Sequence, residues 1–405
     1  MNTLITNVRL VWEDRIAENG WLLLSRGKIA AVGENTRDNA LHQALKLADT
    51  IWDGQNQYLA PGLIDIHLHG GNGYDFMDGT PEAFQEIARY HAAHGTTSLL
   101  ATTMSASEEE ILHVLNAFVQ YAPRIQDCHL LGVHLEGPYF NKRQCGAQDP
   151  GFIRDPDLAQ CRRFLETGCV RRVSLAPELP EALALAEFLA ENKIIVSAGH
   201  TEADFDCMEH AFAHGFCLMT HLYSGMTGVH RKNAFRMGGA VEAGLLCDTG
   251  AVELIADGCH LPGCLLRLVR KCKDPRNIIL VSDAMRGAGL ADGSSTKLGS
   301  LEQGQDVIIE DGVAKMPDRT SFAGSVASGD RLIRTMRDLG NVPLYEAVAM
   351  MTANPARLLG LDSQKGGLLP GMDGDVILFD ENINIRAVWV AGNRICESAS
   401  RTPSS

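Results

Sequence analysis

No segment of the chain approaches the roughly 20 consecutive apolar residues of a membrane-spanning helix. Met1 to Arg15 carries acidic residues and lacks an apolar signal core with a small-residue cleavage site, so we expect a cytoplasmic protein with no membrane partner. Positive charge is scarce: 36 Lys and Arg face 50 Asp and Glu, for a formal net charge of −14. That balance argues against nucleic acid as a partner, because binding a polyanion needs a basic face. A small anionic substrate needs only a local cationic pocket and stays allowed. The eleven cysteines include no CxxC pair. A dispersed, odd count reads as reduced thiols, most of them expected to be small buried apolar residues. No GxGxxG or Walker loop is found, and only Ser398 to Ser405 reads as irregular low-complexity sequence.

The chain has 405 residues, 45% hydrophobic and 21% charged, enough for one large barrel or two to three ordinary domains. Forty glycines against fifteen prolines suit a fold with many tight turns. Both ends read as β-rich. Leu4–Val11, Trp21–Leu24 and Lys28–Val32 are strand-like near the N-terminus, and Asp375–Phe379 and Ile385–Val390 near the C-terminus. The middle alternates short apolar runs with helical patterns. Eight candidate strands stand out: Gly62–His67, Thr97–Ala101, Leu130–Leu135, Arg172–Ala176, Ile194–Ala198, Cys217–Thr220, Ala251–Ala256 and Ile278–Val281. Strands apolar on both faces and separated by helices imply a parallel sheet. Eight such units over about 300 residues predict a (β/α)8 TIM-like barrel. The expected division is a barrel over 59–361 and a small β-sandwich built from both termini, 1–58 and 362–400. A doubly wound open sheet is the competitor, but no nucleotide loop marks a switch point for it.

The unusual residues fall in one kind of place. His67 and His69 close the first strand, Glu136 the third, and His200 follows the fifth. His221 ends the sixth, His260 follows the seventh and Asp283 ends the eighth. In a barrel all these ends share one face, where barrel enzymes keep their active sites. Taken singly, a strand-end His is more often a structural group, and a strand-end Asp a helix cap. Independent structural roles would not select the same end of strand after strand. Imidazole and carboxylate donors together suit zinc, with iron or another first-row divalent ion as alternatives, and one or two ions per chain. Alternate residues of a strand face one side, so His67 and His69 can reach one ion. Glu136, His200 and His221 offer a second set with room for water, whose pKa a metal lowers toward neutrality. Asp283 can take a proton from that water and return it to a departing amine. His134 reads as packing or support, and His91 and His94 as ordinary helix-surface residues.

Several segments together resemble the amidohydrolase superfamily, in particular its N-acetylglucosamine-6-phosphate deacetylase branch. They are Ala60–Gly70, His94–Thr97, His134–Pro138, Leu175–Glu178, Ala198–Thr201, Thr220–Tyr223, Ile255–His260 and Val281–Ala284, with Gly366–Gly367 and Pro370–Asp375 near the end. The resemblance implies hydrolysis of an N-acetyl amino sugar 6-phosphate to amino sugar phosphate and acetate. It implies Glu136, His200 and His221 as principal metal ligands, Asp283 as general acid/base, and His67 and His69 as the pair for a second ion. It implies His260 as a substrate-binding residue, Arg231 or Lys232 as a phosphate contact that can reach a neighbouring subunit's site, and a homodimer.

The chain departs from the family pattern at three places. Ser224 and Gly225 follow Leu222-Tyr223 where the family has Asn-Ala, so Gly225 offers only backbone to the substrate. Gln148 stands where the family commonly has a carbonyl-polarising His, and it can donate a hydrogen bond without carrying charge. Val229 to Met237 is unusually basic. The departures keep three readings open: a gluco-type deacetylase, its N-acetylgalactosamine-6-phosphate counterpart, or an amidohydrolase of another N-acylated or cyclic amide. A non-catalytic binding relative is disfavoured, because such proteins lose metal ligands and here the set is complete.

Overall fold

Eight parallel strands run side by side in chain order in the computed structural model, which describes residues 1–34 and 39–397. They are Leu63–Leu68, Thr96–Thr103, His129–Glu136, Val170–Leu175, Ile195–Ala198, Phe216–Met219, Ala251–Leu254 and Ile278–Leu280. All eight expected barrel strands are present. The gap between the last and the first is bridged by main chain. Met350 O accepts from Leu280 N at 3.0 Å, Met351 O accepts from Ile64 N at 2.7 Å, and Asp283 N donates to His67 O at 2.9 Å. The irregular tail predicted for Ser398–Ser405 lies outside the described residues.

Helices between the strands begin where the sequence supplies caps. Thr80 accepts from Ala83 N ahead of Pro81, and Ser107 with Glu110 forms a capping box at the head of Glu108–Tyr121. Alternation along the strands stacks the barrel interior in layers. Leu100, Ile195, Leu218 and Ala251 belong to an apolar cluster low in the barrel. Two residues further along the same strands come Thr102, Ser197, Thr220 and Glu253, all buried. Above that polar layer stand the strand ends.

The termini meet in one seven-stranded sheet, in the order Asn393–Glu397, Ile385–Val390, Val376–Phe379, Thr50–Pro61, Asn2–Val11, Ile16–Ser25 and Lys28–Gly33. Leu22, Leu24, Leu59, Val376 and Trp389 build its core. The strand Thr50–Pro61, not foreseen, leads directly into the barrel, where Gly62 N donates to Asp375 O at 2.8 Å. A further three-stranded sheet, Ser295–Leu298, Gln305–Glu310 and Val313–Lys315, follows the eighth barrel strand. No described helix is long and apolar enough to cross a membrane.

Two expectations are corrected. Of the described cysteines, all free, only Cys128, Cys161 and Cys169 are buried, so most thiols are not core residues. His91 is fully buried rather than on a helix surface, with Nε2 at 2.9 Å from Gly70 O. Burial pushes its pKa down to about 4. The unfolded chain takes up this proton near pH 6.5 and the folded chain does not until about 4. Stability is therefore lost as pH falls through that window and is unaffected above it. We expect the melting temperature of His91→Gln, relative to wild type, to rise as pH is lowered from 7 to 5; a constant difference would refute the assignment.

Candidate active site

The strand ends bring the predicted donors into one cluster at the barrel mouth. Glu136 is its centre. Its Oε1 lies 3.0 Å from His221 Nε2, 3.3 Å from His200 Nε2 and 3.4 Å from His67 Nε2, and its Oε2 lies 3.2 Å from His69 Nε2. Asp283 Oδ1 is 3.3 Å from His69 Nε2 and 3.5 Å from His67 Nε2. Two sets, His67–His69–Glu136 and Glu136–His200–His221, each hold ligand atoms within 4.8 Å of one another, and all five side chains are buried. They share Glu136, as two neighbouring ion positions would.

Backbone strain accompanies this convergence. His200, His221 and Asp283 adopt φ of 48°, 29° and 47°, a left-handed region that non-glycine residues enter at a cost of about 1–3 kcal/mol each. Three such residues at the ends of three strands, all facing one cluster, mark a site whose side chains outweigh local comfort. The supporting bonds aim the rings. Gln144 O lies 2.8 Å from His200 Nδ1, which turns Nε2 toward Glu136, and Glu253 Oε2 lies 3.2 Å from His67 Nδ1.

The electrostatics call for a cation. Burial works against charging His67, yet the Asp283 and Glu136 carboxylates outweigh it and hold its pKa at about 9. His69 is raised in the same way, against its own burial, by hydrogen bonds to Asp283 and Glu136. Burial would raise both carboxylates, but the surrounding imidazoles hold Glu136 and Asp283 below their ordinary range. His67 Nε2 is buried between two carboxylates with no hydrogen-bond partner. The positive charge that a proton brings to Nε2 between these carboxylates is one that a divalent cation could supply in its place, with Nε2 as a ligand. His134, by contrast, bonds Ser174 Oγ at 2.7 Å, and burial, aided by Arg172, lowers its pKa, which makes it a neutral packing residue.

The cluster floors a cleft of about 220 Å³, lined also by Met104, Gln148, Ser224, Gly225, His260 and Phe322. His260 Nδ1 is held by Asp257 Oδ2 at 2.8 Å, leaving Nε2 as its other polar atom, and Phe322 packs on the ring at 4.6 Å. Gln148 lines the cleft, but its amide is engaged. Nε2 donates to Glu136 Oε2 at 2.7 Å and Oε1 accepts from Ser105 N at 2.8 Å, so it orients Glu136 as well as facing the cleft. Arg231 and Lys232 do not join the cluster. They lie on an exposed hairpin, His230–Lys232 paired with Phe235–Met237, outside the lining of the cleft. A larger cleft of about 630 Å³ opens at the opposite end of the barrel, lined by Trp12, Pro61, Pro275 and Asn354 among others. Among the described residues no cluster of three metal-donor side chains lies there, so chemistry rather than size singles out the smaller cleft.

Sequence reasoning missed Glu253, Arg172, Met104 and Phe322. The first two carried a signal, a charged residue inside an apolar run that must be buried on both faces; the other two carried none.

A barrel mouth with this donor set and one adjacent acid belongs to a hydrolase of carbon–nitrogen bonds. Residues 58–395 match the amidohydrolase family, and the chain belongs to it. The chain is 32% identical over 380 residues to N-acetylgalactosamine-6-phosphate deacetylase of Escherichia coli O157:H7, covering 93% of this chain and 96% of that one. It is 32% identical over 397 residues to N-acetylglucosamine-6-phosphate deacetylase of Bacillus subtilis (strain 168), covering 96% of each. Among solved structures, N-acetyl-D-glucosamine-6-phosphate deacetylase from Mycobacterium smegmatis in complex with N-acetyl-D-glucosamine-6-phosphate superimposes with a TM-score of 0.87 at 30% identity, over 97% of this chain and 99% of that one.

Proposed function

We propose that this chain removes the acetyl group from an N-acetylhexosamine 6-phosphate, with N-acetylglucosamine 6-phosphate as the leading substrate and its galacto counterpart as the alternative. The observation that carries the reading is the convergence of Asp283 with the Glu136–His200–His221 set at one cleft that also presents His260. Near full-length similarity to deacetylases of both sugars supports the substrate class.

Glu136, His200 and His221 would hold the principal ion, with His67 and His69 joining Glu136 around a second; zinc suits the nitrogen-rich set. When bound, such an ion supplies positive charge that polarises the scissile carbonyl and makes water acidic near neutral pH. Asp283 accepts the proton of the attacking water and delivers it to the amine nitrogen as the carbon–nitrogen bond breaks. Water adds its oxygen to the acyl carbon, so the products are acetate and the amino sugar phosphate. His260, fixed by Asp257, donates to the sugar phosphate, while Ser224 and Gly225 offer a hydroxyl and backbone along the wall. Gln148 keeps Glu136 in place and leaves the carbonyl to the cationic floor.

The phosphate would be met by the basic hairpin of a partner subunit. In a homodimer, Arg231 or Lys232 would reach the partner's cleft, a reading supported by the exposure of the hairpin, whose Phe235 is 75% exposed. The enzyme is read as cytoplasmic, where sugar phosphates are found. Acetate release from phosphorylated and unphosphorylated N-acetylhexosamines tests the reading. Charge-assisted hydrogen bonds of about 1.5–3 kcal/mol predict a preference for the phosphate of at least about ten-fold in kcat/KM. Equal rates would point instead to a different N-acylated or cyclic amide, a reading that Gln148 and Ser224-Gly225 favour.

A further inference from the structure

We infer that Glu253, which takes part in no step above, is the positioning residue that holds both halves of the ion site in register. The inference rests on the ion site proposed above. Glu253 lies in the seventh barrel strand with no exposed surface, directly beneath the donor cluster. Its two oxygens have separate duties. Oε1 is paired with the Arg172 guanidinium, itself wholly buried. Oε2 lies 3.2 Å from His67 Nδ1 and accepts the His221 backbone N–H at 3.1 Å. One carboxylate oxygen therefore touches one ligand residue from each donor set, as Glu136 does on the opposite side of the cluster.

The consequence for His67 is a choice of tautomer. A carboxylate facing Nδ1 keeps a proton there, so that Nε2, directed at Glu136 and Asp283, is the nitrogen left to hold an ion. That agrees with the absence of a hydrogen-bond partner for Nε2. Arg172 extends the grip. It donates to Ile66 O at 3.2 Å and to Thr220 Oγ1 at 3.1 Å, the residues immediately before His67 and His221. It also donates to Ser197 Oγ at 3.0 Å, in the strand that leads to His200. A fully buried ion pair is a poor way to gain stability, since apolar residues of similar volume serve as well or better. Its contacts place this pair under three histidine-bearing strand ends, where orientation is what the site needs.

The test separates positioning from charge balance. Removing either partner alone strands a buried charge, so the decisive variant is the double replacement Glu253→Met with Arg172→Met, which fills the volume and removes both charges. Zinc affinity of the purified chain is measured by competition with a chromophoric chelator, alongside the melting temperature of the metal-free protein. We expect the double variant to fold with a melting temperature near that of wild type and to bind zinc about 10–100-fold more weakly. Wild-type affinity in the folded double variant would overturn the inference and reduce Glu253 to a counter-ion for Arg172. Should the double variant not fold, Glu253→Leu with Arg172→Gln decides. It also removes both charges and the acceptor that faces His67 and His221, while keeping a donor for Ile66 O and Thr220 Oγ1, so weaker binding supports positioning and unchanged binding refutes it. A wild-type chain that takes up no zinc or other first-row ion would bring down the ion site itself, an outcome distinct from a failure of Glu253 alone.

Discussion

Replacing Asp283 with Asn is expected to lower kcat by about 10²–10⁴-fold, the range of general acid–base catalysis, with KM and ion content little changed. The substitution removes the proton acceptor, and with it one negative charge that faces His67 and His69. Asn has the size of Asp and tolerates the left-handed backbone that Asp283 adopts at φ 47°. The main-chain bonds that fasten this residue, from Asp283 N to His67 O at 2.9 Å and from Ser325 N to Asp283 O at 2.7 Å, do not involve the side chain. Oδ1 sits 3.3 Å from His69 Nε2 and 3.5 Å from His67 Nε2, so an amide there would still pack. Steady-state kinetics with metal analysis of the same sample check the outcome. A loss below ten-fold, or a loss fully accounted for by missing metal, would remove Asp283 from its proton-transfer role.

The second large effect is loss of the cation. Exhaustive chelation should abolish amide hydrolysis, by more than about 10³-fold, because the charge stabilisation a divalent ion supplies amounts to several kcal/mol. Re-addition of zinc should restore it. Glu136→Ala should show the same loss without rescue, since Glu136 is the group common to both donor sets and every ligand imidazole lies within 3.4 Å of it. The variant should still fold. Its methyl group leaves the strand pairing of His129–Glu136 intact, and Asp283 remains as the carboxylate beside His67 and His69. Full activity after chelation, or rescue of Glu136→Ala by zinc to wild-type rate, would contradict the assignment.

Much of this was legible in the residue order because a parallel barrel imposes a simple grammar. Its strands are apolar on both faces, so polar donors can only cluster at strand ends, and one end faces the substrate. His67, His69, Glu136, His200, His221, His260 and Asp283 could be placed by that rule alone, and the structure brings them to one barrel mouth, where all but the fully buried His67 line the cleft. Where the grammar fails, a tertiary contact is responsible. Arg172 and Glu253 look like flaws in their strands until the barrel closes and pairs them. Thr50–Pro61 is hard to read as a strand because its middle, Asp53-Gly54-Gln55-Asn56, is polar and partly exposed. His91 belongs to the helix Pro81–Ala93, and only packing against Gly70 tells which face is inward. Gln148 was expected on substrate, and its bond to Glu136 depends on a loop fold that no periodicity records. Arg231 and Lys232 stay outside the cleft of their own chain, because a short hairpin carries them out into solvent.

Anomalous diffraction from zinc-loaded crystals, collected on both sides of the metal absorption edge, is the most direct test of the central claim. The account predicts a strong peak within coordination distance of Glu136, His200 and His221, with any second peak beside His67 and His69. Zinc peaks confined to other parts of the surface, with those side chains packed as they stand and no density between them, would contradict it.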